Sequence, residues 1–332
     1  MADFISAPHS FAAMRKGFAF VADNADLVSI DRVALERFAS ELPTYQARLQ
    51  SRFFDPFNHF QPRAEWGNVD EQFYAYTLTL NAANFGSALR EDLRASGFIK
   101  HGEGLYYPFA RAMTRWFEAR KGDISPQILQ TLDTQATATI FGFRAEIPAE
   151  AHLTKHFTNH LNMLGAHVAA SGSFSAYVLE HRGDAAGFAL KLATLPNSAF
   201  ADSSYYKGQD IAFLKRAQIC ASDIAWKRDI FGDLSELTVF LDDQVPHVLR
   251  MAGILRYAPA LAAKVDSDTM LTENGAEEIE IRAVSGHACE LLAQISGFTA
   301  RDIDPILWHL GHDADGLKHP TFRPHRCLTT AY

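Results

Sequence analysis

Several groups of residues have types and spacings that could do chemistry. His152, His156 and His160 recur every fourth residue, which on a helix puts neighbouring imidazoles on one face, a geometry able to ligate a metal. No carboxylate completes the set as in His-Glu-x-x-His, so the stripe reads as a polar helix face and no metal site is expected. Lys215 and Arg216 are adjacent cations in a stretch otherwise apolar at Ile211, Leu214 and Ile219. Asp242 and Asp243 stand between the apolar run Leu237–Leu241 and a Val245-Pro246 helix start. Two readings of these acids stand at this point: N-terminal charges favoured by the helix dipole, or members of a site. Glu278 and Arg282 lie at i and i+4, a spacing that taken alone describes a surface ion pair.

Familiar phosphate and nucleophile machinery is absent. The chain has no GxGxxG opening a helix, no GxxxxGK[ST] and no GxSxG, so dinucleotide, P-loop and serine-hydrolase chemistry lack their apparatus. The 31 Lys and Arg against 39 Asp and Glu leave a net charge of −8, which opposes a broad nucleic-acid footprint because such binding needs many cations releasing counterions. A small anionic substrate needs only two or three local cations and stays open. Cys220, Cys289 and Cys327 are odd in number, far apart and outside CxxC spacing, which suits a reducing compartment. An acid sits where a signal peptide carries its basic residues, and no apolar run approaches a membrane span, so a soluble cytoplasmic protein without membrane contact is expected.

The elements that would position these residues are mostly helical. Asp31 is a good N-cap before Leu35, Phe38 and Leu42, and Pro43 predicts the end of that helix. Residues 53–66 are rich in aromatics and proline without period and read as an ordered, functional loop. Helical spacing resumes from Phe73 to Phe85 and from Tyr106 to Phe117, and Ser125-Pro126 marks a further start. Leu153, Phe157, Leu161, Leu164 and Val168 trace one face of a helix over Ala149–Ala170. More helices are expected at Ser173–Glu180, Ile211–Trp226, His247–Tyr257 and Glu277–Leu292. Alternating β-branched runs are sparse, so the fold class is all-α. With 48% hydrophobic residues and no repeat or long linker, the expectation is one compact helical domain over 1–332, or two closely packed lobes of about 1–150 and 151–332.

At these residues the chain resembles a family. LKRAQI at 214–219, LTVFLDDQVPHVL at 237–249, GILRY at 253–257 and EIEIRA at 278–283 are similar to segments of the queuosine salvage proteins, which are queuosine 5′-phosphate N-glycosylases. DPFNHF at 55–60, LTLNAANF at 78–85, SGSF at 171–174, ILWHLG at 306–311 and HRCLTTAY at 325–332 extend the resemblance in order along nearly the whole chain. It implies a compact all-helical fold like that of DNA glycosylases. It also implies hydrolysis of the bond joining a 7-deazaguanine base to ribose 5′-phosphate, releasing queuine for reinsertion into tRNA.

Carried over by position, Asp242 matches the aspartate of the family's Phe-Ala-Asp-Tyr motif and Lys215 the lysine of its Lys-Arg-Ala-Gln motif. These are the expected catalytic pair. Cleaving a ribosyl bond builds positive charge at C1′, which a fixed carboxylate stabilises more in the transition state than in the ground state. Lys215 is expected to bind the 5′-phosphate or a ribose hydroxyl, and Arg282 to support a carboxylate or the phosphate. A 7-deazaguanine has carbon in place of N7, so protonation there cannot activate the leaving group. Hydrogen bonds to the rest of the base must compensate, with Asp243 or Glu280 as candidates. Phe60, beside His59, and Phe85 are candidates to stack on the flat ring, a contact worth about 1–3 kcal/mol. The resemblance implies no cofactor, a small nucleotide or nucleoside as partner, and no direct DNA contact; oligomeric state is not read from the sequence.

The chain departs from the family pattern in two places. Gly86-Ser87-Ala88-Leu89 replaces Cys-Phe-Trp-Pro after Asn84-Phe85, and Asp243 replaces the motif's tyrosine. The alternatives are therefore a glycosidase acting on another modified nucleoside, or a nucleoside-binding protein of the same fold without hydrolase activity. A DNA-repair glycosylase would need a glycine-rich helix-hairpin-helix and a basic face, and the only basic cluster is Lys318, His319, Arg323, His325 and Arg326.

Overall fold

A computed structural model describes residues 10–52, 59–100, 103–195, 197–312, 317, 319 and 321–332. In chain order the helices are α1 (Phe11–Asn24), α2 (Arg32–Leu49), α3 (Val69–Ala82), α4 (Arg90–Ala95), α5 (Tyr106–Ala119), α6 (Pro126–Gln130), α7 (Thr134–Phe141) and α8 (Pro148–Ala169). They continue with α9 (Phe174–Leu179), α10 (Ala185–Thr194), α11 (Lys215–Ala225), α12 (Gln244–Met251), α13 (Pro259–Asp266), α14 (Ala276–Ser296) and α15 (Ala300–His312). Strands are short: β1 (Val28–Ile30), β2 (Ser203–Tyr206), β3 (Gln209–Ala212), β4 (Leu255–Tyr257), β5 (Met270–Leu271) and β6 (Arg326–Cys327). The chain is mostly α, as its helical periodicity predicts.

Local chemistry explains many of the boundaries. Asp31 caps α2 by accepting from Ala34 N at 2.9 Å, Ser125 caps α6 by accepting from Ile128 N, and Ser173 caps α9 by accepting from Ala176 N. Pro43 does not end α2, which runs on to Leu49. An internal proline costs about 3 kcal/mol, but Leu35, Phe38, Ala39, Leu42 and Leu49 are all buried along this helix, so apolar packing on both sides of the proline offsets the loss. The helix expected from Ile211 starts only at Lys215, because Gln209–Ala212 pairs antiparallel with Ser203–Tyr206 around Lys207 and Gly208, both at positive φ. The helix expected to reach Tyr257 ends at Met251, and Leu255–Tyr257 pairs instead with Val28–Ile30. Of the aromatic loop, residues 53–58 lie outside the described residues; Ala64–Trp66 is a 3-10 turn.

The chain divides into two compact units, each discontinuous in sequence. One comprises Met1–Phe54, Asp202–Gln218 and Asp233–Tyr332, the other Asp55–Ala201 and Ile219–Gly232. In the first, α1 and α2 pack on the long α14, and α12 packs on α15. Gly286 makes the first packing possible: a Cβ there would come within 2.7 Å of Phe18 and 2.9 Å of Leu241. In the second, α8 packs on α6 and α7, while α3 contacts α5, α8 and α9. Phe85, Phe109, Phe141, Phe143 and Phe157 form an aromatic cluster there, with the Phe141 and Phe157 ring centres 4.7 Å apart. No helix among the described residues is long and apolar enough to cross a membrane.

Candidate active site

Lys215 is the first residue of α11, followed by Arg216, with no acid in that first turn. Two cations at a helix N-terminus oppose the dipole, so their carboxylates must come from elsewhere in the chain. Asp202 supplies one. Its main-chain oxygen accepts from Phe213 N and Leu214 N at 3.0 and 3.3 Å, and its Oδ2 accepts from Lys215 N at 2.9 Å. The turn thus fixed holds buried Leu214 at φ 52°, the left-handed region that leucine enters at a cost of about 1–2 kcal/mol. Such a conformation persists only where its surroundings over-determine it.

Asp242 lies at the end of the buried segment Leu237–Leu241, just before α12. Its Oδ1 accepts from Gln244 N at 2.7 Å and Val245 N at 3.2 Å, and its Oδ2 stands 3.8 Å from Lys215 Nζ. One carboxylate oxygen therefore caps a helix while the other faces a cation, so the two readings of this acid coincide in one side chain. Burial pushes the Asp242 carboxyl up, Lys215 pulls it down, and buried Asp243 pushes it up again. Burial likewise lowers the pKa of Lys215, against the pull of Asp242. The two side chains are only 13% and 8% exposed, so the pair lies in largely low-dielectric protein.

Among the described residues the Leu237–Leu241 segment pairs with no strand, and side chains hold Thr238 N, Phe240 N and Leu241 O. Gln218 of α11 accepts from Thr238 N at 2.8 Å through Oε1 and donates through Nε2 to Thr238 Oγ1 at 3.0 Å. Asp304 of α15 accepts from Phe240 N at 2.8 Å. Burial pushes the Asp304 carboxyl up to about 8, the Phe240 amide opposing, so it carries a proton at neutral pH.

Arg282 of α14 donates to Leu241 O through Nε and Nη2 at 3.2 and 2.9 Å. The same guanidinium donates to Asp202 Oδ2 at 2.8 Å and to Glu278 Oε1 at 3.2 Å. Phe213 and Tyr332 cover it, their ring centres 3.9 and 4.6 Å from its central carbon. The Arg282, Asp202 and Glu278 side chains are only 2–3% exposed, so the i,i+4 pair lies inside the protein. Burial would lower the Arg282 pKa, but Asp202 and Glu278 hold it above the ordinary range.

Glu280 accepts from Leu27 N at 2.7 Å, Val28 N at 3.2 Å and Tyr206 OH at 2.8 Å, which occupies both its oxygens. The structure thus brings Lys215, Asp242, Asp243, Arg282 and Glu280 into the first unit. His59, Phe60 and Phe85 belong to the second. There, His59 Nε2 meets Tyr106 OH at 2.7 Å, buried Phe60 stacks on Trp66 with 6.1 Å between ring centres, and buried Phe85 meets Phe157 edge-on at 4.8 Å. His152 and His156 bring their rings within 4.4 Å, whereas His160 is buried against Phe85 and not part of an exposed stripe. In the basic tail segment, Arg326 pairs with Asp268 at 2.6 Å and His325 meets Tyr332 OH at 2.9 Å. Sequence reasoning passed over Asp202 and Asp304, whose partners lie 80 and 64 residues away. The signal available was the first turn of a cationic helix with no local acid.

A family model described as "queuosine salvage protein" matches residues 64–332. The chain is 29% identical over 321 residues to the queuosine 5′-phosphate N-glycosylase/hydrolase of Sphaerobacter thermophilus, covering 94% of this chain and 95% of that one. It is 26% identical over 289 residues to the protein of that name from Mus musculus, covering 84% and 83%. With that from Dictyostelium discoideum it shares 34% identity over 143 residues, 40% of this chain and 44% of the other.

Proposed function

The chain belongs to the queuosine salvage protein family, and on that premise we propose that it hydrolyses the N-glycosidic bond of queuosine 5′-phosphate and releases queuine for tRNA modification. The observation that carries the assignment to this site is the buried Asp242 carboxylate, gripped by two amides at the start of α12 and facing Lys215. As the glycosidic bond breaks, positive charge grows on the ribose. A carboxylate already oriented in a desolvated site stabilises that charge without reorganising. Asp242 also orients the attacking water or takes its proton. Lys215 opposes the upward push that burial gives the Asp242 carboxyl, and its ammonium is placed to bind the 5′-phosphate or a ribose hydroxyl.

The leaving base carries no basic N7, so the electrons it takes up must be accommodated by hydrogen bonds at its other edge. Glu280 is a poor candidate for that contact, because its oxygens are taken by Leu27, Val28 and Tyr206. Among the aromatic candidates, Phe60 and Phe85 lie under aromatic neighbours, and His59 is the more exposed. The acidic net charge supports a small-molecule substrate over direct DNA contact, and three buried free cysteines support a cytoplasmic site of action.

Incubation with queuosine 5′-phosphate and, separately, with queuosine, followed by chromatography for the free base, tests the reading. Release of queuine is expected. Tight binding with release from neither would identify a nucleoside-binding protein instead.

A further inference from the structure

Lys215 and Asp242 are 27 positions apart by number and sit on different elements, yet one buried cluster reaches both. Asp202 holds the amide of Lys215 and the guanidinium of Arg282; Arg282 holds the carbonyl of Leu241, the residue before Asp242. We propose that Asp202 and Arg282 are positioning residues that set the geometry of the Lys215–Asp242 pair, and that Arg282 does so without touching the substrate. This rests on the hydrolase reading given above.

Three observations support it. The guanidinium is covered by the Phe213 and Tyr332 rings, 3.9 and 4.6 Å from its central carbon, and its donors are directed at three protein oxygens, which leaves it badly placed to meet a phosphate. Leu214, directly before Lys215, is held at positive φ by the hydrogen bonds that Asp202 accepts. Among the described residues no strand pairs with the Leu237–Leu241 segment, and Gln218, Asp304 and Arg282 hold its backbone. A shift of even 1 Å in a reacting group can cost on the order of 10²-fold in rate, and this cluster lies where such a shift would be prevented.

Arg282→Lys and Asp202→Asn test the inference, since both keep a polar group at the position and are less prone to unfold than truncations. Thermal melts establish that each variant is folded. On queuosine 5′-phosphate and on queuosine, kcat is expected to fall by the same factor, on the order of 10²-fold, with KM little changed. A loss confined to the phosphorylated substrate, carried by KM, would show that Arg282 contacts the phosphate and would overturn the inference. Amide hydrogen exchange supplies a readout independent of turnover. Both variants should accelerate exchange at Lys215 and at Phe240, Gln244 and Val245 together. Acceleration in only one of these segments overturns the coupling, even if the wild-type protein releases base from neither substrate, a result that would sink the hydrolase reading separately.

Discussion

Replacing Asp242 with asparagine removes a charge while keeping nearly the same shape. The amide oxygen can still accept from Gln244 N and Val245 N, as the carboxylate does at 2.7 and 3.2 Å, and asparagine caps helices about as well as aspartate. What is lost is the attraction to Lys215 at 3.8 Å, about 4 kcal/mol at an effective dielectric near 20. Burial already lowers the Lys215 pKa, and losing the carboxylate moves it further in that direction, which offsets part of the cost. The variant should therefore fold, with a stability loss smaller than that figure. The rate should suffer far more: removing one preorganised charge from a developing ionic transition state costs on the order of 10²–10³-fold, or about 3–4 kcal/mol of barrier. Single-turnover release of queuine from saturating queuosine 5′-phosphate, measured beside a thermal melt, gives both quantities. A folded variant turning over within about threefold of wild type, a barrier change below roughly 1 kcal/mol, would remove Asp242 from the chemistry.

Lys215→Met removes the cation that holds the Asp242 carboxyl down, so Asp242 should protonate more readily. The acid limb of the kcat–pH profile should move to higher pH, and an unmoved limb would show that Lys215 does not set that ionisation. Asp304, pushed up to about 8 from 3.8, keeps its proton in the folded chain while the unfolded chain releases it. The folded state therefore binds more protons between about pH 4 and pH 8, and stability falls across that window as pH rises. Asp304→Asn, which retains an oxygen for Phe240 N, should flatten that decline by an amount on the order of a few kcal/mol; urea melts at pH 5, 6.5 and 8 measure it, and an equal slope in both proteins would count against a neutral Asp304. Gly286→Ala drives a methyl group into Phe18 and Leu241, and denaturation should show a loss of about 1–3 kcal/mol, with an unaltered midpoint contradicting the close packing of α1 on α14.

What the sequence made legible was local. The caps at Asp31 and Ser125 and the apolar face of α8 involve residues within a few positions of one another, and they appear where their spacing predicts. The β2–β3 hairpin was hidden because Lys207-Gly208, not Asn-Gly, makes its turn and Ile211 fits the helical period that follows. Pro43 misled because local propensity yields to packing over the length of a helix. At the site, motif resemblance singles out Lys215 and Asp242, which stand 3.8 Å apart. Of the groups that hold them, Arg282 is singled out by the resemblance, but its burial and its partners were not legible, because spacing carries no information on burial. Glu278 and Arg282 look like a surface pair, while Asp202 and Asp304 look like ordinary loop and helix acids until the chain folds them against partners far away in sequence.

The most direct measurement is a crystal structure of the Asp242→Asn protein with uncleaved queuosine 5′-phosphate bound. The account predicts the ribose C1′ against the side chain at position 242, with the sugar or phosphate within reach of Lys215 Nζ and the Arg282 guanidinium still closed behind Phe213 and Tyr332. Substrate bound elsewhere, with the side chain at 242 facing no part of the sugar, would contradict it.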